Sequence, residues 1–272
     1  YLFNFSDTSL NSPTLEATLG KDYTGGKNLD LSAYFPDDLV WFGNSLSLNG
    51  TQLAVGAELA NGLSASVIDS GEVHLFSFSD TSFSNPIHEA VLGVGYTGGK
   101  NLNLSTTLEQ SSRFGHSVSL DGTRLAVGAF VDDGFNNVIS DSGEVHLFNF
   151  SDTNFNNPVL DATLGAGYTG GKNFNLSSSL EIDDFFGSSV TLDGTRLVVG
   201  AHVDDGANNN SVNSGAVYFF DIPTGTVASD PSSYNTFNSL SANKITFSPA
   251  SIKAVLDTGS NLILQANNDI TI

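Results

Sequence analysis

The sequence predicts an all-β protein made of repeated four-stranded antiparallel units, followed by a further β segment at its C-terminal end. Three blocks of nearly the same sequence begin at Phe42-Gly43, Phe114-Gly115 and Phe186-Gly187, which are 72 residues apart. Each block carries an Asn-Gly or Asp-Gly pair between two apolar runs, a strong short-range signal for a β-hairpin. Repetition at a fixed period indicates a repeat architecture, so a residue found once in every unit is first interpreted as structural.

The stretch 114–165 shows the four strands predicted for each unit. SVSL (117–120) and RLAVGA (124–129) flank an Asp-Gly pair and predict a hairpin of strands A and B. A polar loop, the B–C loop, leads to EVHLFNF (144–150), predicted strand C, and a second loop leads to VLDATLG (159–165), predicted strand D. Runs rich in Val, Leu and Phe, bounded by Gly, Asp and Asn, favour strands over helices.

The connection from strand D to the next strand A contains YTGGKN in every unit, at 23–28, 96–101 and 168–173. Its Gly pair predicts a tight turn, and the alternation that follows (NLDL, NLNL or NFNL) predicts a short extra strand. One lysine stands at the same point of each motif: Lys27, Lys100 and Lys172. We interpret these lysines as structural, each paired with an acidic neighbour or loop carbonyls, with binding of a sugar or phosphate as the alternative.

The repeat predicts the domain organisation. Residues 1–222 are expected to form one repeat domain, with periods of about 1–73, 74–145 and 146–222. The Ser-, Asn- and Thr-rich stretch 223–243 is expected to be a linker, and 244–272 a β-solenoid-like or strand-exchange segment. Because the chain starts at Tyr1 inside a recurring strand, we expect it to be a piece of a longer exported protein.

Composition excludes several functional classes. The chain has 29 acidic and 9 basic residues, a formal net charge of −20, so its surface repels nucleic acid. No apolar run reaches the roughly 18 residues that a membrane-spanning helix needs, so no membrane insertion is expected. There is no cysteine and therefore no disulfide. No GxSxG, HExxH or CxxC motif accompanies the many Ser and Asp residues, so no catalytic residue is predicted and the chain is expected not to be an enzyme.

FGxSVSL, followed by RLAVGA and then SGEVHLF, resembles the FG-GAP repeats of integrin-α-like β-propellers over about residues 1–222. The resemblance implies propeller-like blades packed around an axis. It divides the chain into strands C and D of one blade (1–20), two complete blades (42–93 and 114–165) and strands A to C of another (186–222). The segment 244–272 resembles the start of a filamentous-haemagglutinin-like β-helix, and together the two likenesses imply a large secreted bacterial surface protein.

The B–C loops collect the candidate metal ligands. Carboxylates beside glycines suit Ca²⁺, which takes six to eight oxygen ligands, but Asp and Asn also brace turns without a metal. Both interpretations stay open, and no other cofactor is expected. The candidate residues are Asp132, Asp133 and Asp141 in one loop, and Asp204 and Asp205 in the next.

The incomplete first and last blades suggest the function. Open sheet edges pair readily with other strands, so the preferred hypothesis is an extracellular structural or adhesive protein whose subunits join head to tail into a filament. Closure within one chain is the competing outcome. A propeller whose loops bind a glycan or a surface protein, with or without Ca²⁺, is the alternative function. The predicted inter-subunit strands contain Tyr1, Leu2, Phe3, Asn4, Phe5, Tyr218, Phe219 and Phe220.

Overall fold

Strands make up nearly all the regular structure of residues 1–35, 39–206 and 209–222, which are the residues described by the computed structural model. Residues Tyr1–Ile222 form one compact unit. The linker and the C-terminal segment predicted at 223–243 and 244–272 lie outside the described residues. Among the residues described, the helix Leu63–Ala65 is a single 3₁₀ turn, and no helix has the length and hydropathy to cross a bilayer.

The N-terminal strands pair in two small sheets. The first sheet is an antiparallel pair. The second is a parallel pair, formed by the end of strand D and the short extra strand that follows the YTGGKN turn. The strands are β1 (Leu2–Asn4) with β2 (Thr14–Ala17), and β3 (Leu19–Gly20) with β4 (Leu29–Asp30).

Sheet 1 is a five-stranded meander in which each strand pairs with the next along the chain. The first four strands are antiparallel and the fifth is parallel to the fourth. Its strands are β5 (Phe42–Asn49), β6 (Gln52–Ala57), β7 (Glu72–Ser77), β8 (Ile87–Gly93) and β9 (Leu102–Asn103).

Sheets 2 and 3 repeat this topology. Sheet 2 has all five strands, and sheet 3 has the first three among the described residues. Sheet 2 consists of β10 (Ser117–Asp121), β11 (Arg124–Ala129), β12 (Glu144–Asn149), β13 (Val159–Gly165) and β14 (Phe174–Asn175). Sheet 3 consists of β15 (Phe186–Asp193), β16 (Arg196–Ala201) and β17 (Ala216–Asp221).

The predicted strands A to D, the hairpins and the short extra strands are therefore confirmed. In sheet 2, Asp121 pairs with Arg124 to close the A–B hairpin, and Leu164 pairs in parallel with Phe174 at the extra strand. Turn residues set the register of each hairpin, so the strands of this all-β, propeller-like fold could be predicted from local sequence features.

Successive sheets pack face to face, and their two interfaces form most of the core. We call the face of a sheet that meets the preceding sheet its leading face, and the opposite one its trailing face. Between sheets 1 and 2, Ala54 and Leu75 on a trailing face share a core with Leu120 and Val127 on a leading face. Sheets 2 and 3 repeat this arrangement, while the N-terminal strands cover part of the leading face of sheet 1.

Candidate functional site

A buried glutamate in strand C of sheet 1 joins a tyrosine and two histidines. The Tyr96 hydroxyl donates to Glu72 Oε1 at 2.9 Å, and His74 Nε2 lies 3.2 Å from Glu72 Oε2. His74 Nδ1 lies 3.1 Å from His88 Nε2. His74 of strand C and Tyr96 of the YTGGKN motif therefore reach the same glutamate.

Sheet 2 repeats this network with its own partners. His146 Nε2 lies 2.6 Å from Glu144 Oε1, and His146 Nδ1 lies 3.1 Å from Thr163 Oγ1. Burial raises the pKa of Glu144 to about 8 and lowers the pKa of His146 to about 4. At neutral pH the pair is therefore a protonated acid beside a neutral imidazole, which avoids the cost of burying charges away from water.

Sheet 3 departs from the network. Ala216 stands where the other sheets have glutamate, and Tyr218 replaces the histidine. The Tyr218 hydroxyl donates to Asp204 Oδ2 at 2.6 Å. Glu72 and Glu144 were not among the residues predicted from the sequence, although both recur in an SGEV motif.

The second aspartate of each pair braces its B–C loop. Asp133 Oδ1 accepts the backbone N–H of Asp141 at 2.7 Å, and Asp205 makes the same bond to the residue eight positions later. In the first loop Asn61 Oδ1 accepts the N–H of Asp69 at 2.8 Å. The amide oxygen of Asn61 thus accepts the same hydrogen bond as the carboxylate of Asp133. Such a bond stabilises a turn without a metal, which is the alternative to calcium binding.

The first aspartate of each pair turns inward. Asp132 and Asp204 each accept the N–H two residues on, at 3.0 and 2.7 Å, and both are buried. Burial and then the neighbouring Glu144 raise the pKa of Asp132 well above its usual value. Among the described residues, no group of three or more His, Asp or Glu side chains is arranged to hold a metal ion. Calcium binding by these loops stays a prediction.

The recurring lysines join strand D to neighbouring loops. Lys27 Nζ lies 2.5 Å from Glu16 Oε2 and 2.6 Å from the carbonyl oxygen of Ser82. Lys100 pairs with Glu89 and donates to the carbonyl oxygen of Asn154 at 2.7 Å, and Lys172 pairs with Asp161 at 2.6 Å. Lys27 and Lys100 thus tie one unit to the next.

The recurring Phe-Gly pair forms the junction between sheets. Phe114 is fully buried and bridges to Gly71 of sheet 1, and Phe186 does the same with Gly143. Gly115 has a φ of +90°, and a Cβ there would lie 2.5 Å from the Glu72 carbonyl oxygen. The glycine is required both by its positive φ and by the close approach of the neighbouring backbone. Phe42-Gly43 occupies the same position at the start of sheet 1 and is partly exposed.

The predicted inter-subunit strands are partly open to solvent. In β1, Leu2 packs against the core of sheet 1, whereas Phe3 and the flanking Tyr1 and Phe5 are exposed. In β17, Tyr218 and Phe220 pack on the core shared with sheet 2, and Phe219 points outward. Asn4 pairs with Thr14 at the end of the first hairpin.

Two segments of the chain, 108–148 and 178–220, match the FG-GAP repeat family. Both segments are therefore similar to FG-GAP repeats. Each segment spans strands A to C of one sheet, the part in which the sequence blocks agree best. The resemblance stated from the sequence is thereby confirmed for sheets 2 and 3. No curated protein matches the chain.

Proposed function

We propose that this chain is an extracellular structural or adhesive repeat protein of a bacterial surface, and that its copies associate head to tail. The FG-GAP matches and the acidic, cysteine-free composition support the first part. The second part is carried by one observation. The trailing face of sheet 3 and strand A on the leading face of sheet 1 expose apolar side chains whose equivalents are buried between sheets.

The contrast is large on both faces. Val217 and Phe219 on the trailing face of sheet 3 are 59% and 78% exposed, whereas their equivalents in sheet 2, Val145 and Leu147, are 0% and 9% exposed. Leu46 and Leu48 on the leading face of sheet 1 are 61% and 52% exposed, whereas their equivalents in sheet 2 are buried. A leading face covers a trailing face at both internal junctions, so the two open faces have complementary partners in a second copy.

The internal junctions also supply a hydrogen-bond register. Ser45 Oγ donates to the Gly115 carbonyl oxygen at 2.6 Å, and Ser117 Oγ donates to the Gly187 carbonyl oxygen at 2.7 Å. Sheet 3 carries Ser189 at the same position. In the proposed contact, its hydroxyl donates to the Gly43 carbonyl oxygen of the second copy.

Strand C decides how the copies fit together. By sequence, β1 and β17 are both strand C of a four-stranded unit. In the head-to-tail contact, β17 of one copy therefore competes with β1 of the next copy for pairing with β2 of that copy. Strand β1 has three residues, and Phe3 within it and Tyr1 and Phe5 beside it are exposed, whereas β17 has six residues paired along β16. We therefore expect β17 of one copy to displace β1 of the next, so that β2 to β4 complete the last sheet.

The expected affinity is modest. Burying four apolar side chains contributes about 1.5–3 kcal/mol each. Association costs about 4–15 kcal/mol in lost translational and rotational freedom and in ordering. The balance predicts association that depends on protein concentration, and that increases with salt because the acidic chains repel one another.

Sedimentation velocity of the full chain over a hundredfold range of concentration tests the proposal. We expect oligomers that grow with concentration, loss of these oligomers in Phe219→Asp, and no effect of Ile182→Asp, an exposed loop position away from both faces. Deletion of residues 1–5 should strengthen association, because it removes the competing strand. A wild-type chain that stays monomeric throughout would refute the proposal, as would weaker association after the deletion.

A further inference from the structure

A cavity of about 380 Å³ lies beside the outer strands of sheet 2. It is enclosed by the connection that follows sheet 1, by the B–C loop of sheet 2 and by strand β13. The side chains that shape it are Thr107, Glu109, Asp132, Phe135, Leu160 and Tyr168. Its volume is at the lower end of the roughly 300–1,000 Å³ range of small-molecule pockets.

The corresponding position beside sheet 1 is occupied by side chains. Aligning KNLDLSAYF (27–35) with KNLNLSTTL (100–108) places Tyr34 opposite Thr107, and aligning the two D strands places His88 opposite Leu160. Tyr34 packs on His88 with ring centroids 4.1 Å apart. The cavity beside sheet 2 thus exists because a tyrosine and a histidine are replaced by threonine and leucine. A volume about the size of one aromatic ring is therefore left open beside sheet 2.

The walls combine an aromatic side with neutral polar groups. Phe135 and Tyr168 meet edge to face with centroids 5.5 Å apart, and Phe135 is half exposed at the rim. Thr107, Thr163 and the buried Asp132 are among the residues that line the cavity. Threonine hydroxyl groups both donate and accept hydrogen bonds, as ligands rich in hydroxyl groups require.

The charges of the lining residues restrict the ligand further. None of the described residues that line the cavity is a Lys, Arg or His, so no lining group neutralises an anion. All three carboxyl groups among these residues already have partners. Asp161 pairs with Lys172 at 2.6 Å, Glu109 Oε2 accepts a hydrogen bond from Asn137 at 2.9 Å, and Asp132 Oδ1 accepts the backbone N–H of Gly134 at 3.0 Å. A neutral ligand therefore suits the cavity better than a cation, which would need free carboxylates.

We propose that this cavity binds a small neutral polyhydroxylated ring, such as one hexose unit of a glycan. An apolar face of the sugar would pack on Phe135 and Tyr168, and its hydroxyl groups would bond to Asp132 and the threonines. The site lies beside sheet 2, and Tyr34 fills its counterpart beside sheet 1. This inference is independent of the head-to-tail contact, which uses other faces.

Saturation-transfer NMR with glucose, galactose, mannose and N-acetylglucosamine tests the proposal on the full chain. We expect signal transfer to at least one sugar, and at least tenfold weaker binding in Thr107→Tyr/Leu160→His. That double variant installs the pair that sheet 1 already accommodates. Val159→Tyr adds a ring at the exposed neighbouring position of the same strand and should bind like the wild type.

Phe135→Ala provides a second variant that removes the aromatic rim without filling the cavity, and it should also weaken binding. Circular dichroism identifies variants that keep the wild-type fold. Absence of transfer from all four sugars would overturn the proposal. Binding that persists in a folded, filled variant would place the sugar elsewhere and would overturn it as well.

Discussion

Replacing Gly128 by alanine should destabilise the protein through a clash between sheets 2 and 3. A Cβ at this position would lie 2.0 Å from the Gly187 carbonyl oxygen and 2.4 Å from Ser117 Oγ. The serine can rotate away, but the carbonyl belongs to the backbone of the next sheet. Gly200, the equivalent residue in sheet 3, has only Ser189 side-chain atoms at short range, with Oγ at 2.4 Å. Comparing Gly128→Ala with Gly200→Ala therefore separates the destabilisation caused by the clash between sheets from the effect of the added methyl group alone.

The magnitude follows from three terms. Forcing the two sheets apart costs about 1–3 kcal/mol, as overpacking in a close-packed interior does. Loss of the hydrogen bond from Ser117 to the Gly187 carbonyl adds about 1 kcal/mol. Replacing glycine within a strand returns about 0.5–1 kcal/mol, because alanine loses less backbone entropy on folding. The expected net destabilisation of Gly128→Ala is about 1–3.5 kcal/mol, centred on about 2.3 kcal/mol, whereas Gly200→Ala should stay within about 0.5 kcal/mol.

Thermal unfolding followed by far-ultraviolet circular dichroism, at a dilution where the chain is monomeric, is the appropriate assay. At about 2–4 °C per kcal/mol for a chain of this size, Gly128→Ala should lower the midpoint by about 5–10 °C. The same Gly200→Ala variant should associate less at high concentration, because its Cβ would meet the Gly43 carbonyl of the next copy. Equal midpoints for the two variants would refute the interpretation of the junction.

Two further substitutions address the buried network and the loops. Between pH 6.5 and 8 the wild type should lose stability as pH rises, because the unfolded Glu144 is already ionised while the folded carboxyl, with a pKa of about 8, still holds its proton. Glu144→Gln should remove this slope in urea titrations, while the increase in stability from about pH 4 to 6.5 contributed by His146 should remain. An unchanged slope would show that another group carries it. Asp133→Asn should keep the wild-type midpoint with and without Ca²⁺, since Asn61 makes the same brace, whereas Asp133→Ala should cost about 1 kcal/mol. A calcium-dependent midpoint that is lost in Asp133→Asn would instead support the metal hypothesis.

Local sequence signals were enough to predict the strands. The hairpin at Asp121-Gly122 and the short parallel strand β14 follow from turn residues and from alternation over a few positions. Such signals act between neighbours in the chain, so a repeat of 72 residues makes them visible three times. The pattern also identified the Phe-Gly pairs and the lysines as structural positions, although it did not show what they contact.

The candidate sites depend on contacts between distant residues, and the sequence could not supply these. The sequence grouped Asp132 and Asp133 as one cluster of possible ligands, but the fold separates them. Asp133 braces its loop, and Asp132 faces Glu144 and the cavity. Adjacent residues often point to opposite sides of the chain, and the backbone path of the loop decides which side is buried.

The repeat, its strands and the turns between them could be predicted from the sequence, because they depend on residues close together in the chain. Which apolar faces are covered, and where space is left between sheets, depends on how distant parts of the folded chain meet. Leu48 and Leu120 occupy equivalent positions with similar local sequences, yet Leu48 is exposed and Leu120 is buried. The same holds for the cavity. Thr107 stands where the first unit has Tyr34, and this difference opens space only because Leu160 stands opposite it in place of His88. Packing between sheets is a property of surfaces that meet, and the proposed contact and sugar site both arise from it.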